Sequence, residues 1–150
     1  RLEAKAIAMS KIRNLRLRVP AGAALATALV ALADWLPGSQ APENAFWHAM
    51  RDGTNQNSTV DSARQQYDGF VNSQWKTCSC EGLARALHAV QDAYARGHAN
   101  FQPWSGGAPT PSHVYHDAFP TLDERSGAER ASAKLIQNYT KNCNLSCPAE

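Results

Sequence analysis

At 150 residues, with 43% hydrophobic and 19% charged residues, the chain has the composition of one ordinary globular domain, long enough to bury a core without help from metal or cross-links. That excludes a disordered or collagen-like polymer. A formal charge of +2 is too small to specify a nucleic acid or a membrane surface as partner.

Residues 1 to 19 mix Lys and Arg with Ile7, Ile12, Leu15 and Leu17 and read as an amphipathic helix closed by Pro20. Residues 21 to 36, AGAALATALVALADWL, are alanine-rich and interrupted by Asp34. They are short for a membrane span, so no transmembrane segment is expected. The run from Met9 also has the layout of a secretory signal, with the basic KIRNLRLR, an apolar stretch and ALA at 31 to 33; the reading adopted is a buried packing helix. Leu36-Pro37-Gly38 breaks the pattern, and APENAFWHAMRDG predicts a short helix carrying both His48 and Asp52 and stopped by Gly53. The polar TNQNS at 54 to 58 is a loop. Next, STVDSARQQYDGFVNSQW predicts a packing helix with Ser58 as cap and Val60, Ala63, Tyr67, Phe70 and Val71 at helical spacing.

A helix from Ser79 or Glu81 to about Arg96 follows, with Leu83, Leu87, Val90 and Tyr94 on one face and Gly97 as its stop. Residues 99 to 112 are rich in Pro, Gly and aromatics and form the one long loop. Ser112 caps a short helix ended by Pro120, and Thr121 with Glu124 makes a capping box for the last helix. No stretch sustains the alternation of a strand. The expectation is an all-α fold: one compact multi-helix domain over residues 1 to 150, with packing or export-like helices in 1 to 36 and a metal-binding core in 41 to 142.

The chemistry is concentrated in histidines. His48 is followed by Asp52, His88 by Asp92 and His113 by Asp117, each four residues on, and residues four apart on a helix share one face. With 13 acids in 150 residues, a given histidine meets an acid there by accident roughly one time in eleven, so three of five histidines is a rare coincidence. One such pair alone is an ordinary surface ion pair. The set, with His98 added, predicts a cation site between helices, and imidazole with carboxylate suits zinc.

The four cysteines are Cys78 and Cys80 in TCSCEG and Cys143 and Cys147 in NCNLSC. A bridge between Cys78 and Cys80 would be strained, so oxidised thiols would form two cross-links between the central loop and the tail. Free buried thiols are one alternative. A cysteine zinc site is another, although CxC and CxxxC are not the spacings of zinc ribbons. Cross-links imply an oxidising destination, outside the bacterial cytosol or in the periplasm.

The stretch LHAVQDAYARGH, residues 87 to 98, resembles the signature helix of the zinc-dependent phospholipase C and single-strand nuclease superfamily, and His113 with Asp117 resembles the element that follows it there. It is also similar to C-terminal toxin domains of bacterial polymorphic toxins of the Rhs type. The resemblance covers roughly residues 44 to 120. It implies one to three zinc ions, with His88 and Asp92 on a first ion, Asp92 able to bridge, and His98, His113 and Asp117 on a second. His48, alone or with Asp52, takes the place of an earlier-helix histidine, and Asp52 or Asp68 that of a separate upstream aspartate. The family's N-terminal tryptophan ligand has no counterpart, since Trp35 and Trp47 are internal. The function implied is a secreted or delivered toxin or effector that hydrolyses phosphodiesters, with an immunity protein as a partner.

In such a site two metals clamp a phosphodiester, and carboxylates bridge them or orient a water. Asp92 is then a catalytic ligand, Asp52 the candidate general base, and His116 an orienting group. Tyr94, Phe101 and Trp104 either wall the substrate or pack in the core. The aromatic loop and small net charge favour a phospholipid substrate and a phospholipase C-like enzyme. A nuclease on single-stranded nucleic acid would show a basic groove with stacking aromatics. Two other classes compete. Cys78 or Cys80 at the start of a helix, with His113 or His98 as base, would make a cysteine hydrolase. A closed ring of protein ligands would make a non-catalytic helical domain with structural zinc.

Overall fold

A computed structural model of the protein describes residues 36 to 107 and 109 to 143; the expected N-terminal helices and Cys147 lie outside the described residues. The fold is all-α. A 3₁₀ segment, Pro42–His48, leads to helix α1, Val60–Trp75, and helix α2, Cys80–Asp92. A 3₁₀ turn, Arg96–His98, then precedes α3, Pro111–Ala118, and α4, Leu122–Asn142. No helix among the described residues is long and apolar enough to cross a membrane.

Capping residues set the helix starts. Thr59, not Ser58, caps α1, because Ser62 returns the bond: the Ser62 amide donates to Thr59 Oγ1 at 3.1 Å and the Thr59 amide to Ser62 Oγ at 2.9 Å. Ser79 caps α2 by accepting from the Gly82 amide. Thr110, not Ser112, caps α3, since Pro111 fills the first turn, where its missing N–H costs nothing. Thr121 and Glu124 form the expected box at α4.

Helix α2 is the core. Leu83, Ala86, Leu87 and Val90 recur at three and four and meet Leu135 and Tyr139 of α4, with Val71 and Trp75 of α1 packed against them. Each such leucine contributes on the order of 2 kcal/mol by leaving water. A second buried face, Ala84 and His88, turns toward the 3₁₀ segment, where Ala45, and Ala49 just past its end, are buried and small enough for close approach. At its start α2 nearly touches the end of α1. A Cβ on Gly82 would overlap Thr77 Oγ1 and the Gln74 carbonyl, so only glycine fits.

Two further expectations need correction, and one small element is added. α2 stops at Asp92, short of Arg96, because the Tyr94 and Ala95 amides turn back to Gln91 and Asp92 and Ala95 is extended. Tyr94 therefore leaves the core face, is 42% exposed, and lies against Gly127 of α4. His48 and Asp52 do not share a helix face. The 3₁₀ segment ends at His48 and Ala49 is left-handed (φ 52°), its amide and that of Met50 closing on Phe46 and Ala45. Lastly, a two-residue parallel pair exists, β1 Arg51–Asp52 with β2 Pro103–Trp104, held by Arg51 N–H to Gln102 O at 3.1 Å and Gly53 N–H to Trp104 O at 2.7 Å. Two residues are too few for alternation to show in a sequence.

Cys78 is joined to Cys143, tying the start of α2 to the end of α4 across 65 residues; Cys80 is disulfide-bonded too. Closing a loop of that length removes unfolded-state entropy worth about 4 kcal/mol. Replacing both Cys78 and Cys143 with Ser should therefore lower the thermal midpoint by many degrees in circular dichroism melts; an unchanged melt would show that the cross-link contributes nothing to stability.

Candidate metal centre

Two groups of three ligands form where α2 ends. The first joins His48 of the 3₁₀ segment with His88 and Asp92 of α2. His48 Nδ1 stands 3.0 Å from Asp92 Oδ2, His88 Nε2 stands 3.1 Å from the same oxygen, and the two nitrogens are 2.9 Å apart. Both histidines are buried. The other nitrogen of His48, Nε2, lies 3.1 Å from the carbonyl of buried Ser39 and 2.8 Å from its hydroxyl. The Ser39 hydroxyl and carbonyl thus hold the ring so that Nδ1 faces the carboxylate. Three atoms able to ligate a cation thus converge. Their edges are close to the roughly 3.3 Å between ligands of a tetrahedral cation held at about 2.0 Å.

The second group joins His98, from the 3₁₀ turn, with His113 and Asp117, one turn apart on α3. His113 Nε2 is 3.2 Å from Asp117 Oδ2 and His98 Nε2 is 3.4 Å from Asp117 Oδ1. His98 Nδ1–H donates to the His48 carbonyl, which selects the tautomer that aims Nε2 into the group and links the two groups through backbone. His98 is 4% exposed, and its Nε2 has no hydrogen-bond partner. A buried orphan of this kind beside a carboxylate fits a metal ligand. Arg96 anchors the turn, its amide and Nε each 2.9 Å from Glu124 at the start of α4. Gly97 brings the turn against α3, where a Cβ would meet His113 Nδ1 at 3.1 Å and Asp117 Oδ1 at 3.3 Å.

Electrostatics agree with the geometry. Burial alone would raise the Asp92 carboxyl, but His88, His98 and a hydrogen bond from His48 outweigh it and hold the group well below the ordinary carboxylate range. Burial alone would lower His98, but Asp92, Asp117 and the His48 carbonyl push it up to about 9. Without a metal, a proton on His98 supplies the positive charge that the carboxylates demand.

All six expected ligands are thus gathered, in two sets of three: either group can hold a metal ion. His48 belongs to the first set through Asp92, not through Asp52. Asp52 lies in neither set. Its Oδ1 accepts from the Thr54 hydroxyl at 2.6 Å, the Thr54 amide at 2.8 Å and the Asn55 amide at 3.2 Å, which holds its carboxyl below the usual range and makes it a turn-former and a poor proton acceptor. His116 lies beside Tyr115 and in neither group. Trp104 donates Nε1–H to the Gln40 carbonyl and sets its ring 6.1 Å from that of His113, so it walls the second group. Cys78 and Cys80, both in disulfides, offer no thiolate for a cysteine-hydrolase mechanism. Ser39, which orients His48, carried no signal in the sequence beyond its place in a Pro-Gly-Ser turn. Gly97 was legible only as a helix stop. Compared with protein-family models, with curated proteins and with solved structures, the chain has no match.

Two measurements check this centre. Gly97→Val should push α3 from the turn and weaken the second group by at least about tenfold while sparing the first. Calorimetric titration with Zn²⁺ should then show one of two binding steps lost; two unchanged steps would disprove the assignment. The metal-free chain should also lose stability as pH rises. A histidine raised from 6.5 to about 9 contributes stability that is full below 6.5 and lost as pH climbs through 9. The melting temperature of chelator-treated protein should fall across that window, and that of metal-loaded protein, with His98 held neutral, should not.

Proposed function

We propose that the chain is a zinc-dependent phosphodiester hydrolase. The observation that carries this reading is the pairing of two His/His/Asp groups through the hydrogen bond from His98 to the His48 carbonyl, which sets two three-ligand sites side by side. Two imidazoles with one carboxylate is the donor set of catalytic zinc, which keeps a position open, whereas structural zinc takes four ligands, commonly cysteines. The resemblance of residues 87 to 98 to the phospholipase C and single-strand nuclease signature supports the same reading. The Cys78–Cys143 disulfide supports action in an oxidising compartment, as for a secreted or delivered effector.

When bound, a pair of zinc ions supplies Lewis acidity to the phosphate oxygens and a water acidic enough to ionise near neutral pH. The chain's own residues prepare the site. Ser39 orients the His48 ring, and the His48 carbonyl fixes the tautomer of His98. Asp92, beside His48 and His88 and within electrostatic reach of His98, keeps its negative charge and so would hold a cation rather than a proton. Trp104 shields one side of His113 from water.

The test is Asp92→Asn, which keeps the ligand's shape and removes its charge. Hydrolysis of bis(p-nitrophenyl) phosphate by zinc-loaded protein should fall at least about a hundredfold while the far-ultraviolet circular dichroism spectrum stays helical. Wild-type protein that binds two zinc ions and hydrolyses no phosphodiester would replace this reading with a structural-metal one.

A further inference from the structure

Helices α1 and α4 both pack on α2 and leave between them a groove of about 670 Å³. Its floor is apolar, from Val71, Val90 and Leu135, and its walls carry Arg64 on one side and Arg130 and Lys134 on the other. Among the described residues no carboxylate pairs with any of these three cations, and they outnumber the one carboxylate in the groove, Asp68. Aromatic rings interleave with them. The Arg64 guanidinium sits 5.6 Å above the Phe101 ring, Phe101 meets Tyr67 edge-on at 5.7 Å, and the exposed Tyr94 lines the end nearest Asp92.

Cations that hold phosphates, alternating with rings that stack, are how single-stranded nucleic acid is gripped without regard to sequence. The spread of the groove distinguishes a strand from a lipid head group. The stripe on α1 from Arg64 to Trp75 is on the order of 16 Å long by helix rise, longer than a compact head group with one phosphate. The groove borders the end of α2 that carries the first group: Val90, Ala93 and Tyr94, which line it, flank Asp92 in the chain. Arg130 and Lys134 fall outside the stretch that carries the sequence resemblance.

We infer that this groove binds a single strand of nucleic acid, with phosphates on Arg64, Arg130 and Lys134 and bases against Tyr67, Tyr94 and Phe101, and that this strand supplies the phosphodiester to the metal centre. The delivery rests on the hydrolase reading above; the binding does not. A fluorescein-labelled oligothymidylate of about twelve nucleotides, mixed with the chain in chelator so that nothing is cleaved, reads binding alone by anisotropy. With three phosphate contacts, log affinity should fall with log salt at a slope of about −2. Arg130→Gln with Lys134→Gln should weaken binding at least about tenfold and reduce the slope to about −0.7, while the fold, with both positions exposed, is kept. No binding at low salt, or undiminished binding by the double variant, overturns the inference. So does binding to phosphatidylserine vesicles that the same variant abolishes, which would assign the groove to a membrane. Strand binding without cleavage by zinc-loaded protein upholds the groove's ligand and removes only the delivery.

Discussion

The Asp92 carboxylate is the constraint around which the molecule is arranged. It is the last residue of α2, where the helix dipole is already negative and no basic residue occupies the final turn. It is also largely buried, so an uncompensated charge there would be costly. Three imidazoles from three segments supply the compensation: His88 one turn back, His48 from the 3₁₀ segment, and His98 from the turn beyond. Bringing them in forces the chain to leave the helix early at Ala93 and to reverse at left-handed Ala49.

The two ends of α2 are fastened by different chemistry. At the start, the Cys78–Cys143 cross-link and the Gly82 crossing lock α2 to α4 and α1. At the far end, about 20 Å away for a helix of 13 residues, the fastening is electrostatic and depends on a cation or a proton. The fold can therefore persist on its leucine core and disulfide while the metal end changes ligand or protonation state. The elements that carry the second group, α3 and the His98 turn, bury little apolar surface.

A formal net charge of +2 conceals how charge is distributed. The acids are spent on local duties: Asp92 and Asp117 face histidines, Asp52 closes a turn, and Glu124 caps α4 while holding Arg96. Arg64, Arg130 and Lys134 are left facing one groove with a single carboxylate among them. Total charge argued for a phospholipid over a strand; the arrangement of charge argues the other way.

Helix type, most helix limits, the α4 capping box and two of the His/Asp pairs were readable from residues alone, because each depends on contacts three or four positions apart. His88 with Asp92 and His113 with Asp117 are such pairs, and both hold in the fold. His48 with Asp52 has the same spacing and fails, since local spacing cannot report that Ala49 turns left-handed or that an acid 44 residues away is the better-placed partner. Ser39 at His48, the backbone link from His98 to His48, the β1–β2 pair and the groove between α1 and α4 are likewise long-range. They exist only once α2 is buried on both faces, for it is burial that makes an unpaired imidazole or carboxylate costly enough to dictate its partner.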